Sequence, residues 1–329
     1  MSLEHAVLDA LASGEVVSGE ALAQRLGVSR TAVWKAVGRL EMLGVDIAAA
    51  AGAGYRLVTP VDPLDEAGLR AGLSREVGAR IGMLEVLAST ESTNDRVSAA
   101  ARASGQFAVC LADYQSAGRG RQGRRWMSPP GAGICLSVGA RFHEGPGAFA
   151  GLSLAVGVAA VRALEDLGVH EVGLKWPNDL VWAGKKLGGV LIELRGEAEG
   201  PSVVAVGLGL NHRLPRGVRE LLDDGAGLPP ADLAEVCARP PGRTEVAARL
   251  VDRLARTLDQ FAALGLGPFT RSWQRLDALH GLTVRARGGG RDVAGVARGI
   301  DSSGALLVEG ADGVLVRVTG GEVSLRAVP

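Results

Sequence analysis

Hydrophobic spacing divides the chain before any single residue is considered. Apolar positions recur with helical period over residues 3–11, stop at Gly14, and recur from Ala21 through Leu26 to a break at Gly27. A third run, Arg30 to Leu43, places Val33, Val37 and Leu40 on one stripe. Ser18 and Ser29 stand where the second and third helices need an N-cap. Helix, glycine turn and helix at this spacing predict a helix-turn-helix. The alternating segments Val45–Ala49 and Gly54–Val58, around Ala51-Gly52-Ala53-Gly54, predict a two-stranded wing. Pro60 and Pro63 then interrupt both periods and mark a linker.

Beyond the linker the period switches repeatedly between helix and strand. Leu64–Leu73 reads as a short helix, Ile81–Leu87 as a strand, and a helix ending at Ala103 follows. Phe107–Ala112 and Ile134–Ala140 read as strands, Phe149–Leu167 as a long helix, and Val172–Lys175 as a short strand. Leu180–Trp182 turns at Ala183-Gly184 into Lys185–Leu194, and Val203–Leu210 alternates toward Asn211. Successive hairpins imply a mixed or antiparallel sheet with helices on one face, an α+β layer. Two helices, Thr244–Leu264 and Phe269–Leu279, lead to short strands from Leu282 onward. Gly288-Gly289-Gly290 and Gly320-Gly321 separate those strands, which predicts a small SH3-like β-barrel. The expected division is 1–63, 64–280 and 281–329.

Composition narrows the function classes. Lys plus Arg and Asp plus Glu both number 36, so no global field draws in nucleic acid or membrane. No apolar run approaches the ~18–20 residues of a membrane span, and no leader is expected. Cys110, Cys135 and Cys237 lack metal or redox spacing, and two of them lie in strand-like runs. Buried thiols in a reducing cytoplasm are expected. The five histidines show no ligand spacing, which argues against a zinc site. Basic residues are almost all arginine; the lysines are Lys35, Lys175, Lys185 and Lys186.

The densest chemistry lies at Gln115-Ser116-Ala117-Gly118-Arg119-Gly120-Arg121-Gln122-Gly123-Arg124-Arg125-Trp126. Glycines let backbone close on a ligand, arginines offer forked donors to carboxylate and phosphate, and tryptophan offers a flat face. The segment reads as a flap over an anionic, aromatic-bearing ligand such as a nucleotide. A basic segment touching nucleic acid is the plainer alternative. Gly118-x-Gly120-x-x-Gly123 matches the dinucleotide fingerprint, but Ser128-Pro129-Pro130-Gly131 follows where a helix would have to open. No P-loop is present either, so any phosphates are held otherwise.

With Lys175-Trp176-Pro177-Asn178-Asp179 and Lys185-Lys186-Leu187-Gly188-Gly189-Val190-Leu191, the flap makes the chain resemble the biotin–protein ligases. With its N-terminus included, it resembles the bifunctional bacterial ligases that also repress biotin operons. The resemblance implies a class II synthetase-like central domain. It implies that biotin and ATP, with Mg²⁺, give biotinyl-5′-adenylate, from which biotin passes to a lysine of a biotin carboxyl carrier protein. Matched residue by residue, Ser92, Thr93, Asn94 and Gln115 bind biotin, and Arg119, Gly120 and Arg121 wrap the carboxylate and phosphate. Lys186 is the catalytic ammonium, with Arg121 beside it, and Gly188 and Gly189 let a strand lie against biotin. Trp126 packs on adenine, Asn178 and Asn211 line the phosphate region, and Asp179 is a candidate magnesium ligand. On residues alone, Ser92-Thr93-Asn94 could equally be a helix cap. Lipoate ligases and octanoyl transferases share the fold but lack the arginine-rich flap.

The resemblance also implies a homodimer that binds operator DNA, with Ser29, Arg30, Thr31 and Lys35 at the start of the third helix facing the groove. Charge speaks differently. Residues 1–63 hold five basic and seven acidic side chains, a net of minus two, and Ala53 stands where the family's wing carries a lysine. A winged helix kept for dimer contacts or regulation, on a chain that is a ligase only, is therefore the alternative. A pure ligand-sensing transcription factor is a third reading, against which Lys186 and both arginines stand.

Overall fold

A computed structural model of the chain describes residues 2–50, 53–197, 200–222, 227–288 and 291–325. The wing tip expected at residues 51–52 lies outside the described residues.

Three helices open the fold: α1 (Leu3–Leu11), α2 (Gly19–Leu26) and α3 (Arg30–Met42). Ser18 and Ser29 cap the second and third, accepting from the backbone N–H of Ala21 at 3.0 Å and Ala32 at 3.2 Å. Leu8, Leu11, Leu22, Val33, Val37 and Leu40 pack into a core separate from the rest of the chain. The strands β1 (Ile47–Ala50) and β2 (Gly54–Leu57) pair antiparallel and complete a winged helix.

The central layer begins with α4 (Glu66–Gly72), α5 (Arg75–Gly78), β3 (Ile81–Leu87), α6 (Thr93–Ser104), β4 (Phe107–Ala112), β5 (Gly133–Phe142) and α7 (Leu152–Glu165). It continues through β6 (Gly173–Lys175), β7 (Asp179–Trp182), β8 (Lys185–Gly196) and β9 (Ser202–Asn211). The strands form a seven-stranded sheet in the order β3-β4-β5-β9-β8-β7-β6, in which only β3 and β4 run parallel. Next come α8 (Arg216–Leu222), α9 (Leu233–Val236), α10 (Arg243–Leu264) and α11 (Gly267–Leu276). The chain ends in β10 (Thr283–Gly288), β11 (Arg291–Ile300), β12 (Leu306–Glu309), β13 (Leu315–Val318) and β14 (Glu322–Leu325), an antiparallel sheet ordered β13-β12-β11-β10-β14.

Helices cover both faces of the central sheet, not one as the hairpin pattern implied. Ile134, Leu136, Val138, Val204, Val206 and Leu208 turn to one side and form the main core with α7 and α10. The other side carries Val97 and Ala101 of α6 against Ala108, Cys110, Val203 and Ala205. The helical stripe of α6 is short and alanine-rich, so its burying face was easy to miss.

That second face is where the sheet is hollow. Register places Cys135 beside Gly209, Ser137 beside Gly207, and Gly189 across from Gly209. Period-two alternation thus gathers small side chains on three adjacent strands, while valine and leucine fill the opposite face. A depression in the sheet follows directly.

Candidate functional site

The depression is the floor of a cavity of about 550 Å³. Its walls come from the start of α6, the flap between β4 and β5, the β6–β7 turn and the start of β8.

Ser92, Thr93 and Asn94 are buried at the start of α6. Ser92 makes no side-chain cap, so the plain capping role fails for it. Gln115 does that work from the base of the flap: its Oε1 accepts from the Thr93 backbone N–H at 2.8 Å. Asn94 donates to Glu193 at 2.7 Å, and the Ser137 hydroxyl lies 2.7 Å from both Thr93 Oγ1 and Asn94 Oδ1. Gly207 allows this closeness, since a Cβ there would sit 2.6 Å from Asn94 Oδ1.

The flap is a short two-sided loop with a single helical turn at Arg121–Gly123. Gly120 donates to the Arg124 carbonyl at 2.7 Å, and Trp126 to the Gly118 carbonyl at 2.9 Å. Its ring lies flat on Gly209, where a Cβ would be 2.3 Å from Cε2. Arg119 is engaged by two carboxylates, bonding Asp95 at 2.8 and 3.0 Å and Glu193 at 2.9 Å; those hydrogen bonds raise its pKa. Arg121 turns inward, 3.5 Å from Asn178 Oδ1, and burial lowers its pKa.

Lys186 faces the flap across the cavity. Its Nζ is 2.7 Å from Asp179 Oδ1 and 6.0 Å from the centroid of the Trp126 ring. Lys175 approaches the other Asp179 oxygen at 3.8 Å, and burial pulls its pKa down. Asn178 is held by its own amide, which donates to the Val190 carbonyl at 2.8 Å. The interior therefore gathers Arg121, Lys175 and Lys186 around one carboxylate, a balance suited to an anionic ligand.

Two expected residues do not face the cavity. Gly188 turns to the other side of β8, where a Cβ would meet the Gly209 carbonyl at 2.6 Å, while Gly189, expected with it, lines the wall. Asn211 is buried behind the site, donating to the Ala231 carbonyl at 2.9 Å and the Lys186 carbonyl at 3.4 Å. Its bond to the Lys186 carbonyl ties it to the strand that carries Lys186. As for metal, no group of three His, Cys, Asp or Glu that could hold an ion exists among the described residues. The lone Asp179, engaged by Lys186 at 2.7 Å and approached by Lys175 at 3.8 Å, does not make a protein cage for an ion.

Several lining residues carried no signal as motifs. Gly207 and Gly209 were read only as part of an alternating strand, although glycine inside a strand marks a close approach. Behind the lining, Ser137 and Glu193 hold Asn94, and sequence marks them only as strand positions. Leu228, Arg285 and Arg287 also reach the cavity, the arginines from the C-terminal sheet.

With this geometry in place, the comparisons are informative. Residues 86–211 match the biotin/lipoate A/B protein ligase family, residues 4–56 a helix-turn-helix domain, and residues 279–326 the biotin protein ligase C-terminal domain. The chain is 37% identical over 318 residues to the bifunctional ligase/repressor BirA of Escherichia coli, covering 96% of this chain and 95% of that protein. This chain belongs to the biotin–protein ligases. It is also 36% identical over 274 residues to a biotin–[acetyl-CoA-carboxylase] ligase of Mycobacterium tuberculosis, covering 80% of this chain and 97% of that one. The biotin protein ligase of Aquifex aeolicus, solved with biotin and ATP, superimposes with a TM-score of 0.61 at 26% identity, over 75% of this chain and all of that one. The hollow sheet face, the flap and the Lys186 hairpin are thus parts of a biotin–protein ligase fold. No helix among the described residues is long and apolar enough to cross a membrane.

Proposed function

We propose that this chain activates biotin with ATP and transfers it to a lysine of a biotin carboxyl carrier protein. In the first step a carboxylate oxygen of biotin attacks the α-phosphorus of ATP. The bond to the β-phosphate oxygen breaks, leaving biotinyl-5′-adenylate and pyrophosphate. In the second step the target amine attacks the acyl carbon, a proton leaves the nitrogen, and AMP departs. Two anions must meet in the first step, so fixed positive charge between them lowers the barrier. Lys186 and Arg121 supply it from opposite walls, and the flap backbone at Gly120 closes over the junction. Ser92, Thr93, Asn94 and Gln115 hold the biotin ring against the hollow sheet, and Trp126 offers its face to adenine. Asn178 and Asp179 border the phosphates, and a magnesium ion bound with the nucleotide would neutralise part of the phosphate charge.

The observation that carries this reading is the shared cavity, with the Lys186 ammonium 6.0 Å from the ring of the flap tryptophan. Lys186→Ala tests it. Biotin-dependent ATP–pyrophosphate exchange falls by about 10²-fold or more, the scale for removing a preorganised charge, while the fold survives. Exchange at the parent rate would remove Lys186 from the chemistry.

The winged helix supports a repressor role, in which a ligand-loaded homodimer in the cytoplasm sets two α3 helices on paired half-sites of operator DNA. Ser29, Arg30, Thr31 and Lys35 are all exposed along the start of α3. The ligase-only alternative draws on the charge balance: Arg39 is bound to Glu4 at 2.9 Å, and Arg30 lies 3.6 Å from Glu20. A mobility-shift assay on the chain's own upstream DNA, run across salt concentrations, separates the two.

A further inference from the structure

Between the biotin-recognising residues and the flap stands one carboxylate that the proposed mechanism does not use. Glu193 Oε2 accepts from Asn94 Nδ2 at 2.7 Å and from Arg119 Nη2 at 2.9 Å. A carboxylate only accepts, so the Asn94 amide must point its NH₂ group at Glu193 and turn Oδ1 the other way. There it meets the fully buried Ser137 hydroxyl at 2.7 Å. Oδ1 has no proton to give, so the Ser137 proton goes to it. Ser137 is then left with lone pairs toward Thr93 Oγ1, also at 2.7 Å, and Thr93 must donate. Thr93 Oγ1 also lies 3.0 Å from Gln115 Oε1, so its one proton is shared between the Ser137 and Gln115 oxygens. Gln115 Oε1 keeps the Thr93 backbone N–H, and its NH₂ group is directed away from Thr93.

We infer that Glu193 and Ser137 are positioning residues that fix the orientation of the Asn94 amide in the ring-recognising cluster. Without them Asn94 can flip, and the donors and acceptors offered to a ureido ring lose their order. Through Arg119 the same carboxylate ties this cluster to the flap, so ring recognition and flap seating share one anchor. The inference rests on the proposed biotin site and adds what sets its selectivity for a cyclic urea.

The test is steady-state ATP–pyrophosphate exchange with Glu193→Gln and Ser137→Ala, varying biotin and ATP separately. Glu193→Gln offers an amide where only an acceptor is tolerated; Ser137→Ala changes the cluster without touching the flap. Each raises KM for biotin about tenfold or more, the scale of a lost charge-assisted or buried hydrogen bond. In Ser137→Ala, which leaves the flap untouched, KM for ATP and kcat at saturating biotin stay within about twofold, whereas general damage to the site would move all three; in Glu193→Gln, which also loosens Arg119 of the flap, KM for ATP rises as well. Desthiobiotin, which keeps the urea ring, loses as much as biotin. Biotin KM unchanged in either variant, or biotin and ATP KM rising together in Ser137→Ala, would overturn the inference. Absence of exchange in the parent would instead overturn the ligase reading and take this inference with it.

Discussion

Gly209 shows how much a missing methyl group can decide. The Trp126 ring occupies the space a Cβ would need, only 2.3 Å from Cε2, so Gly209→Ala must push the ring off the sheet. Overpacking of this kind costs about 1–3 kcal/mol of stability. The indole also leaves the position from which it would meet adenine. The expected result is a lowered denaturant midpoint together with a KM for ATP raised about tenfold, while KM for biotin moves less. An unchanged KM for ATP would separate Trp126 from nucleotide binding. This residue also marks a limit of sequence reading. Alternation along residues 203–210 told which residues share a face. It did not tell that a tryptophan more than eighty positions earlier lands on that face, because period gives orientation and not partner. By contrast, Lys186, Asn178 and Asp179 were legible, since their runs are contiguous and carry a family pattern. Gly188 belongs to the same run yet faces away, and Asn211, at the end of β9, lies behind the cavity, because a motif match does not record which side of a strand a residue takes.

At the scale of elements, capping and turns were the most legible features. Ser18 and Ser29 cap the helices expected of them, and Ala183 and Gly184 take positive φ, 47° and 75°, at the expected hairpin. These are local signals, decided within four residues. The face covered by α6 was not local and was missed. The flap lies between: its composition was plain, and its seating on Asp95 and Glu193 was not, because both carboxylates lie far off in sequence. Its backbone carries few apolar anchors, so biotin with ATP is expected to slow proteolytic cleavage within residues 116–125 by several-fold. Equal cleavage with and without ligand would sink that expectation. The C-terminal sheet offers a test by pH. Burial would raise the Asp301 pKa, but hydrogen bonds from Ser303, Arg317 and the Ala305 backbone outweigh it and hold the pKa at about 2, below the ordinary 3.8. A depressed carboxylate stabilises the fold fully above the ordinary value and loses that contribution as pH falls through the folded one. Between pH 4 and 2 the parent therefore loses stability that Asp301→Ala has already lost at neutrality. The gap between their melting temperatures should close over that window.

Across the whole molecule, one buried guanidinium ties the linker after the winged helix to the central layer. Arg243, at the start of α10, is fully buried and has a partner on every side. It donates to the Asp62 carbonyl of the linker at 2.8 Å and to the Gly133 carbonyl at the start of β5 at 3.0 and 2.7 Å, and it lies 2.7 Å from Asp113 Oδ1. Asp113 in turn lies 3.6 Å from His5 of α1, and it directly precedes the flap. The cluster therefore joins linker, winged helix, sheet and flap base at one point. A buried charge taken from its partner leaves the other uncompensated, which costs about 3–5 kcal/mol. Arg243→Met is expected to lose about that much in urea unfolding. Arg243→Met with Asp113→Asn should recover a large part of it, because residues in contact do not add independently. Limited proteolysis of the native proteins adds the spatial readout. In the single variant cleavage should appear in the linker over residues 59–63, where the parent is held by Asp62. A loss below about 1 kcal/mol, or a double variant as weak as the sum of its parts, would mean that packing rather than this ion cluster holds the winged helix to the ligase layer.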